Sequence, residues 1–392
     1  MAEHIVMINP KQQNNSAPIR VLHIVTVMDR GGLETMLMNY YRNIDRTKIH
    51  FDFIVHRPQK GAYDDEIIKM GGKIYQMPAI NLKNIYTYRK KLKALLIKHP
   101  EYQIVHSHLD SLSALPLSVA KKAGIPTRIA HSHTTNFDKN YKSSIRHVYK
   151  KFIKYYATDY FGCSKEAVDF MFGKNISSYY IMHNAIDVDK FKYNQKVRNK
   201  VRKNLNIPKD VLVVGHVGRF NYPKNHEFLI DIFYELHKKN KDSLLMLVGE
   251  GDLKQKIINK VDKLGLADSV IFLGSRPDVN ELMQAMDIFV FPSRYEGLGI
   301  ALIEAQAAGL KCLTTKDVIP SSVDITGKVN FIDLQLGHNI WANRVIIPGT
   351  TNNHNIEIIN SNYSINKQVD MLTDYYWNML NVLFNQKSSI KK

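Results

Sequence analysis

Short apolar runs alternate along the chain with longer stretches in which apolar residues recur every three or four positions. Ile19–Val27 (IRVLHIVTV), Phe51–His56, Lys73–Met77, Gln103–His108, Thr127–His133, Thr158–Cys163 and Ser178–His183 read as buried strands. Between them, Leu33–Tyr41, Ala62–Met70, Ile85–Lys98, Leu112–Ala123, Tyr141–Tyr156 and Lys165–Phe172 carry helical spacing. The second half repeats the rhythm. Its predicted strands are Val211–Val217, Ser243–Val248, Val270–Leu273, Asp287–Pro292 and Leu310–Thr314. Its predicted helices are His226–His237, Leu253–Leu264, Val279–Met286 and Ile300–Ala308. This alternation predicts an α/β protein with parallel, doubly wound sheets, whose ligands gather at the C-terminal ends of the strands. Val318–Asn353 is polar and reads as irregular, and Tyr375–Asn385 reads as an amphipathic helix.

A chain of 392 residues exceeds the usual span of one core, so two domains are expected. The polar run Lys192–Lys203 suits a linker and the first helix of the second. Apolar residues make up 44% and charged residues 23%, a globular balance that excludes a disordered chain. No apolar run approaches the roughly 20 residues that span a bilayer, and Asn9–Pro18 reads as a flexible leader without the apolar core of a signal peptide. Cys163 and Cys312 stand far apart with no partner motif, which fits a reducing cytoplasm. The net charge of +18 favours anionic partners, and most of the excess lies in the first half. It is tied to no nucleic-acid module, so nucleic acid is not an expected partner.

The chemistry concentrates where strands give way to glycine. Ser293–Gly309 (SRYEGLGIALIEAQAAG) runs from a strand, through Gly297 and Gly299, into a helix closed by Gly309. Free N–H groups at such a helix start stabilise a phosphate. Glu296 and Glu304 bracket the loop with seven residues between them. After another strand, Gly218-Arg219-Phe220-Asn221-Tyr222-Pro223-Lys224 offers a guanidinium fork and a point charge to phosphate oxygens. Gly31-Gly32 sits between the first strand and helix without the third glycine of a dinucleotide fingerprint. His106/His108 and His131/His133 each lie two apart on a strand and so point the same way. A zinc pair is conceivable there, but no cysteine or carboxylate at ligand spacing completes it.

The stretch Glu296, Gly297, Gly299, Glu304, Ala305, Ala307, Gly309 resembles the signature of retaining nucleotide-sugar glycosyltransferases of family 4. The resemblance covers residues 19–315 well and the tail loosely. It implies a GT-B fold: two Rossmann-like domains facing a central cleft, residues 1–185 on the acceptor side and 186–368 on the nucleotide side. A last helix, 369–392, is then expected to pack back on the first domain. The family's junction motif matches Asn184, Ala185, Ile186, Asp187 and Phe191, and accounts for Asp187-Val188-Asp189 without metal. By this resemblance Gly31, Gly32, Arg219, Lys224 and the Leu298–Ile300 amides hold a pyrophosphate. Asn184 and Arg276 join the donor site, with the base near Gly274-Ser275-Arg276, and Glu34 is a common family neighbour of the glycine pair. Glu304 binds the ribose, Glu296 the sugar hydroxyls, and His133 lies beside the sugar, with His131 as the other candidate.

The implied reaction is retaining, metal-independent hexosyl transfer from a UDP-sugar to a glycan or lipid-linked acceptor in cell-surface polysaccharide synthesis, with no cofactor. A nucleotide-sugar epimerase of the same fold and a non-catalytic nucleotide-sugar-binding subunit are the alternatives. The basic, aromatic helix Tyr141–Tyr156 adds an expected partner, the anionic inner face of the cell membrane. Its Arg146, Lys150 and Lys154 recur every four residues and are expected to share one face, with Ile145, Tyr149, Phe152, Tyr155 and Tyr156 beside it; the alternative is a core helix with one solvated basic face.

Overall fold

The computed structural model describes residues 17–390 apart from 82, 135–140, 297 and 347–354. Most of the leader therefore lies outside the described residues. The first sheet contains β1 (Ile19–Ile24), β2 (Ile49–Val55), β3 (Ile74–Gln76), β4 (Tyr102–Ser107), β5 (Thr127–Ser132), β6 (Asp159–Gly162) and β7 (Tyr180–Ile181). Its order is β3-β2-β1-β4-β5-β6-β7. The second contains β8 (Leu212–Val217), β9 (Ser243–Val248), β10 (Val270–Phe272), β11 (Ile288–Phe291), β12 (Lys311–Thr315) and β13 (Val329–Ile332), in the order β10-β9-β8-β11-β12-β13. All described pairings are parallel. In each sheet the order reverses between two central strands, β1 and β4 in one, β8 and β11 in the other. A crevice opens at such a switch point, outside the carboxyl ends of the strands.

The strands are nearly continuous apolar runs because helices cover both faces of each sheet. Local signals end the helices where expected. Ser164 caps Lys165–Phe172 by accepting from the Ala167 amide, and Gly309 adopts a φ of +77° after Ile300–Ala307. The short β8–β11 pairing is reinforced from the side. Asp287 accepts from the Val213 amide at 2.7 Å and pairs with Arg198 and Arg202 on the helix Gln195–Asn204.

One region departs from the sequence reading. The segment read as irregular contains β13 and the helix Gly337–Ile346, which buries Trp341 against Phe228 of the helix His226–Lys239. The strand ending at Thr315 is thus not the last. The final helix, Ile365–Ile390, starts earlier than read and puts Ile365, Val369, Leu372, Tyr376 and Leu380 into the core of the first sheet. The chain crosses between the sheets twice, and the crossings pair. Ile186 donates to the Tyr363 carbonyl at 2.8 Å and accepts from the Ile365 amide at 2.9 Å.

Candidate active site

The glycine loops fall at the two switch points. After β8, Gly218 packs so closely on the next loop that a β-carbon on Gly249 would lie 2.1 Å from its carbonyl oxygen. Gly249-Glu250-Gly251 therefore shapes the crevice wall rather than a phosphate cradle of its own. Arg219 is exposed, and its guanidinium has no hydrogen-bond or ion-pair partner among the described residues. Lys224 differs: it is half-buried, ion-paired to Glu296, and lies 4.6 Å over the Phe291 ring. The loops after β8 and β11 are locked together. Asn225, at φ +58°, donates to the Pro292 carbonyl at 3.0 Å, and the Arg294 amide donates to Pro223 at 2.7 Å.

Gly299 begins the helix Ile300–Ala307 at φ +72°, the left-handed region that disfavours a side chain. A β-carbon there would lie 3.1 Å from Phe291 and 3.4 Å from Glu296. Leu298 and Ile300 flank it at the helix start; Gly297 lies outside the described residues. Glu304, on the helix's second turn, is half-buried, and its carboxyl makes no hydrogen bond or ion pair among the described residues. Burial pushes its carboxyl up to about 8. Burial is the main cause that pushes the Tyr63 hydroxyl of the first domain up, and Glu304 adds to it in a small way.

On the opposite wall, Gly31 precedes the helix Gly32–Asn43. A β-carbon on Gly31 would lie 2.3 Å from the Glu34 carboxylate, while one on Gly32 would meet nothing within 4 Å. Glu34 folds back on its own helix start, and burial pushes it up to about 7. Arg30 reaches across to the Ser275 hydroxyl at 3.4 Å. The Gly31-Gly32 loop therefore faces the loop after β10, where Arg276 is held by both oxygens of Asp278 at 2.8 and 2.6 Å. Asn184 lies on the first crossing, and its Oδ1 is buried without a partner.

His133 ends β5. Its amide donates to Asp110 at 2.8 Å and its Nε2 meets His108 Nδ1 at 3.0 Å. All its described contacts are within the first domain. Burial pushes its imidazole down to about 3, and holds His131 well below the ordinary range. The sequence reading missed Arg30, Asp110 and His23. Asp110 is half-buried at φ +48°, a conformation an aspartate tolerates, and the cue was its place just past His108. His23 joins His106 and His108, so the paired histidines do have further histidines beside them. Asp187 pairs with Lys190 at 3.0 Å and starts the short helix Val188–Phe191, so this Asp-Val-Asp serves the crossing.

The helix Tyr141–Tyr156 forms as read, but its faces differ from the reading; the Lys142 side chain lies outside the described residues. Arg146 and Lys150 are half-buried, with Lys150 4.4 Å from the Phe170 ring. The outward stripe is Ile145, Val148, Phe152 and Tyr155, at 41, 56, 46 and 57% exposure, beside the exposed Lys151 and Lys154. No helix among the described residues is long and apolar enough to cross a membrane.

Two parallel-sheet domains meeting at their switch points define the GT-B class. Anabaena HepE in complex with UDP-glucose superposes with a TM-score of 0.73 at 18% identity, over 91% of this chain and 99% of that one. The glycosyltransferase WaaG does so at 0.69 and 18%, with the same coverage. Residues 197–331 match the family described as Glycosyl transferases group 1, and residues 30–190 match Glycosyltransferase Family 4. The putative glycosyltransferase EpsF of Bacillus subtilis (strain 168) is 35% identical over 338 residues, 84% of this chain and 88% of that protein. CapH of Staphylococcus aureus, a capsular polysaccharide biosynthesis glycosyltransferase, is 26% identical over 332 residues, 83% and 90%. The chain belongs to the group 1, family 4 glycosyltransferases.

Proposed function

We propose that the protein moves a hexosyl group, with retention, from a UDP-sugar to a glycan or lipid-linked acceptor in cell-surface polysaccharide synthesis. The observation that carries this is Arg219: an exposed, unpartnered guanidinium at the second switch point, on the loop locked to the one that leads to Gly299. A cation kept without a carboxylate beside a helix start suits a diphosphate. The UDP-glucose complex of HepE supports the donor, and the likeness to CapH, a capsular polysaccharide biosynthesis glycosyltransferase, supports the product.

In this reading Arg219, Lys224, Gly31, Gly32 and the Leu298–Ile300 amides bind the diphosphate and stabilise the charge on departing UDP. Lys224 then exchanges Glu296 for phosphate, and Glu296 turns to the sugar hydroxyls. Glu304 accepts from the ribose hydroxyls; Arg276 and Asn184 complete the donor site; His133 lies beside the sugar. The bond from the anomeric carbon to phosphate breaks as the acceptor oxygen adds on the same face. The acceptor proton passes to the leaving phosphate oxygen, so no side-chain nucleophile and no divalent ion are required. The acceptor enters from the first domain, whose Ile145–Tyr155 stripe lies on the inner leaflet of the cell membrane.

The test is incubation with a panel of nucleotide sugars and lipid-linked acceptors. Transfer is read by mass spectrometry and anomeric configuration by NMR. Retained product from a UDP-sugar, unaffected by chelator, is expected. Acceptor-independent interconversion of nucleotide sugars would replace this reading with epimerisation. Loss of activity in chelator, restored by manganese or magnesium, would remove the role given to Arg219 and Lys224.

A further inference from the structure

The C-terminal ends of β1, β4 and β5 gather five histidines. His23, His106, His108 and His131 are buried, and His133 is half-buried at the open end. They form two hydrogen-bonded lines. In one, His133 Nε2 meets His108 Nδ1 at 3.0 Å, and His108 Nε2 meets His23 Nδ1 at 2.9 Å. In the other, His131 Nδ1 meets His106 Nε2 at 3.1 Å, and His106 Nδ1 meets the Tyr376 hydroxyl at 2.9 Å.

Nitrogen atoms of His23, His106 and His108, and of His108, His131 and His133, come close enough to invite a metal. The ring planes argue otherwise. A metal lies in the plane of each imidazole, about 2 Å from the nitrogen, so rings that share one converge edge-on. His106 and His108 instead stack at 4.2 Å and 22°, and His131 and His133 at 4.0 Å and 23°. Each triad thus contains a pair stacked at about 4 Å, whose lone pairs run side by side without converging.

Hydrogen bonding between neutral rings has stricter consequences. A neutral imidazole carries one N–H and one lone pair, and each bond in the line uses one of each. His133, His108 and His23 therefore share a tautomer: all Nε2–H or all Nδ1–H. The inner end decides between them. His23 Nε2 is buried without a hydrogen-bond partner, and its ring lies 4.3 Å from the Phe51 ring, tilted at 59° to it. An N–H can rest against an aromatic ring, whereas a lone pair is repelled by it. Nε2–H is selected at His23, and hence at His108 and His133. His133 then donates inward and keeps a bare Nδ1 lone pair as its other nitrogen, which no described residue occupies.

We propose that His23 and His108 are positioning residues that fix His133 as a neutral hydrogen-bond acceptor towards the donor sugar. This rests on the reading that His133 lies beside that sugar. Positive charge develops on a sugar ring as its anomeric bond breaks. An imidazolium there would repel it; a fixed lone pair does not. Burial holds the whole array neutral, with His106 and His108 well below the ordinary range and His23 down to about 3.

The experiment is NMR of the whole protein labelled with 15N-histidine, assigned by single replacements. Wild type is expected to give the Nε2–H signature at His23, His108 and His133. His23→Phe keeps an aromatic ring but removes the acceptor for His108. His133 should then show mixed tautomers, and turnover should fall about tenfold, the scale of one positioning hydrogen bond, with UDP affinity unchanged. His23→Asn, whose carbonyl can accept the same bond, should restore both. An Nδ1–H or cationic His133 at neutral pH in wild type overturns the proposal, and that spectrum needs no variant to fold. A His133 tautomer unmoved by His23→Phe overturns it too. The expected spectrum with no nucleotide sugar turned over would leave the array standing and remove the glycosyl-transfer reading.

Discussion

Glu304 carries a measurable pH signature, because a half-buried carboxyl without a partner resists ionisation. In the unfolded chain it titrates near its ordinary 4.5, in the native protein near about 8. Between these values the native state holds a proton that the unfolded state has released. Its contribution to stability is therefore complete below about 4.5 and is lost as pH rises through about 8. At 1.36 kcal/mol per unit the full shift is worth about 5 kcal/mol; water at the crevice face reduces this to the order of 2–3 kcal/mol. Glu304→Gln keeps the shape and removes the titration. The two tryptophans allow a domain-specific assay. Trp341 is buried in the second domain, and Trp377 lies on the helix that packs on the first. In a Trp377→Phe background, urea unfolding followed by Trp341 fluorescence reports the domain that holds Glu304. Between pH 5 and pH 9 the parent should lose about 2–3 kcal/mol relative to the Glu304→Gln variant. Parallel stability curves for the two proteins would refute a protonated Glu304. UDP adds a second reading: if ribose hydroxyls donate to the carboxylate, affinity rises with pH towards 8 in the parent and not in the variant.

Arg219→Ala should raise the Kd for UDP roughly ten- to hundredfold by calorimetry, since a charged hydrogen-bond partner contributes about 1.5–3 kcal/mol; unchanged affinity would take the diphosphate away from this loop. Gly299→Ala should cost about 1–2 kcal/mol, measured by urea unfolding, because φ is +72° there. Leu372→Ala, in the core that the final helix shares with the first sheet, should cost about 2–5 kcal/mol, read from Trp377. Binding to anionic vesicles should be salt-sensitive and should drop in a Lys151→Gln, Phe152→Gln, Lys154→Gln triple variant; sedimentation with neutral vesicles is the control.

The sequence revealed the elements whose pattern is dense. Strands such as Ser243–Val248 are uninterrupted apolar runs, and glycines mark the turns at Gly31, Gly218 and Gly299. It did not reveal β13, where VNFI supplies few apolar positions inside a polar segment, nor that Trp341 anchors the helix after it. The histidine array needed strand order. His23 pairs in register with His106 only because β1 and β4, far apart in sequence, are neighbours in space. Which cations were free was equally hidden. Arg219 and Lys224 look alike on one loop, but the Lys224 partner comes from a loop 72 positions away. On the helix Tyr141–Tyr156, spacing placed Arg146, Lys150 and Lys154 together, whereas packing against Phe170 turned Lys150 inward.

The final helix gives the first domain an unusual order of assembly. Ile365, Val369, Leu372, Tyr376 and Leu380 fill the same core as Phe51, Phe161 and Tyr180, so that core is incomplete when the last strand of its own sheet has been made. Between Ile181 and Ile365 the ribosome must add the whole second domain, roughly 10–40 s of synthesis at ~5–20 residues per second. During that interval a strip of aromatic surface beside Tyr40 and Phe161 has no cover, and the histidine line that ends at Tyr376 lacks its hydroxyl. Among the described residues, the core of the second domain draws only on positions from Ile186 to Tyr363, so it can fold as it emerges. The domain synthesised first is thus the one completed last, and chaperone binding to nascent chains should concentrate on its unfinished face.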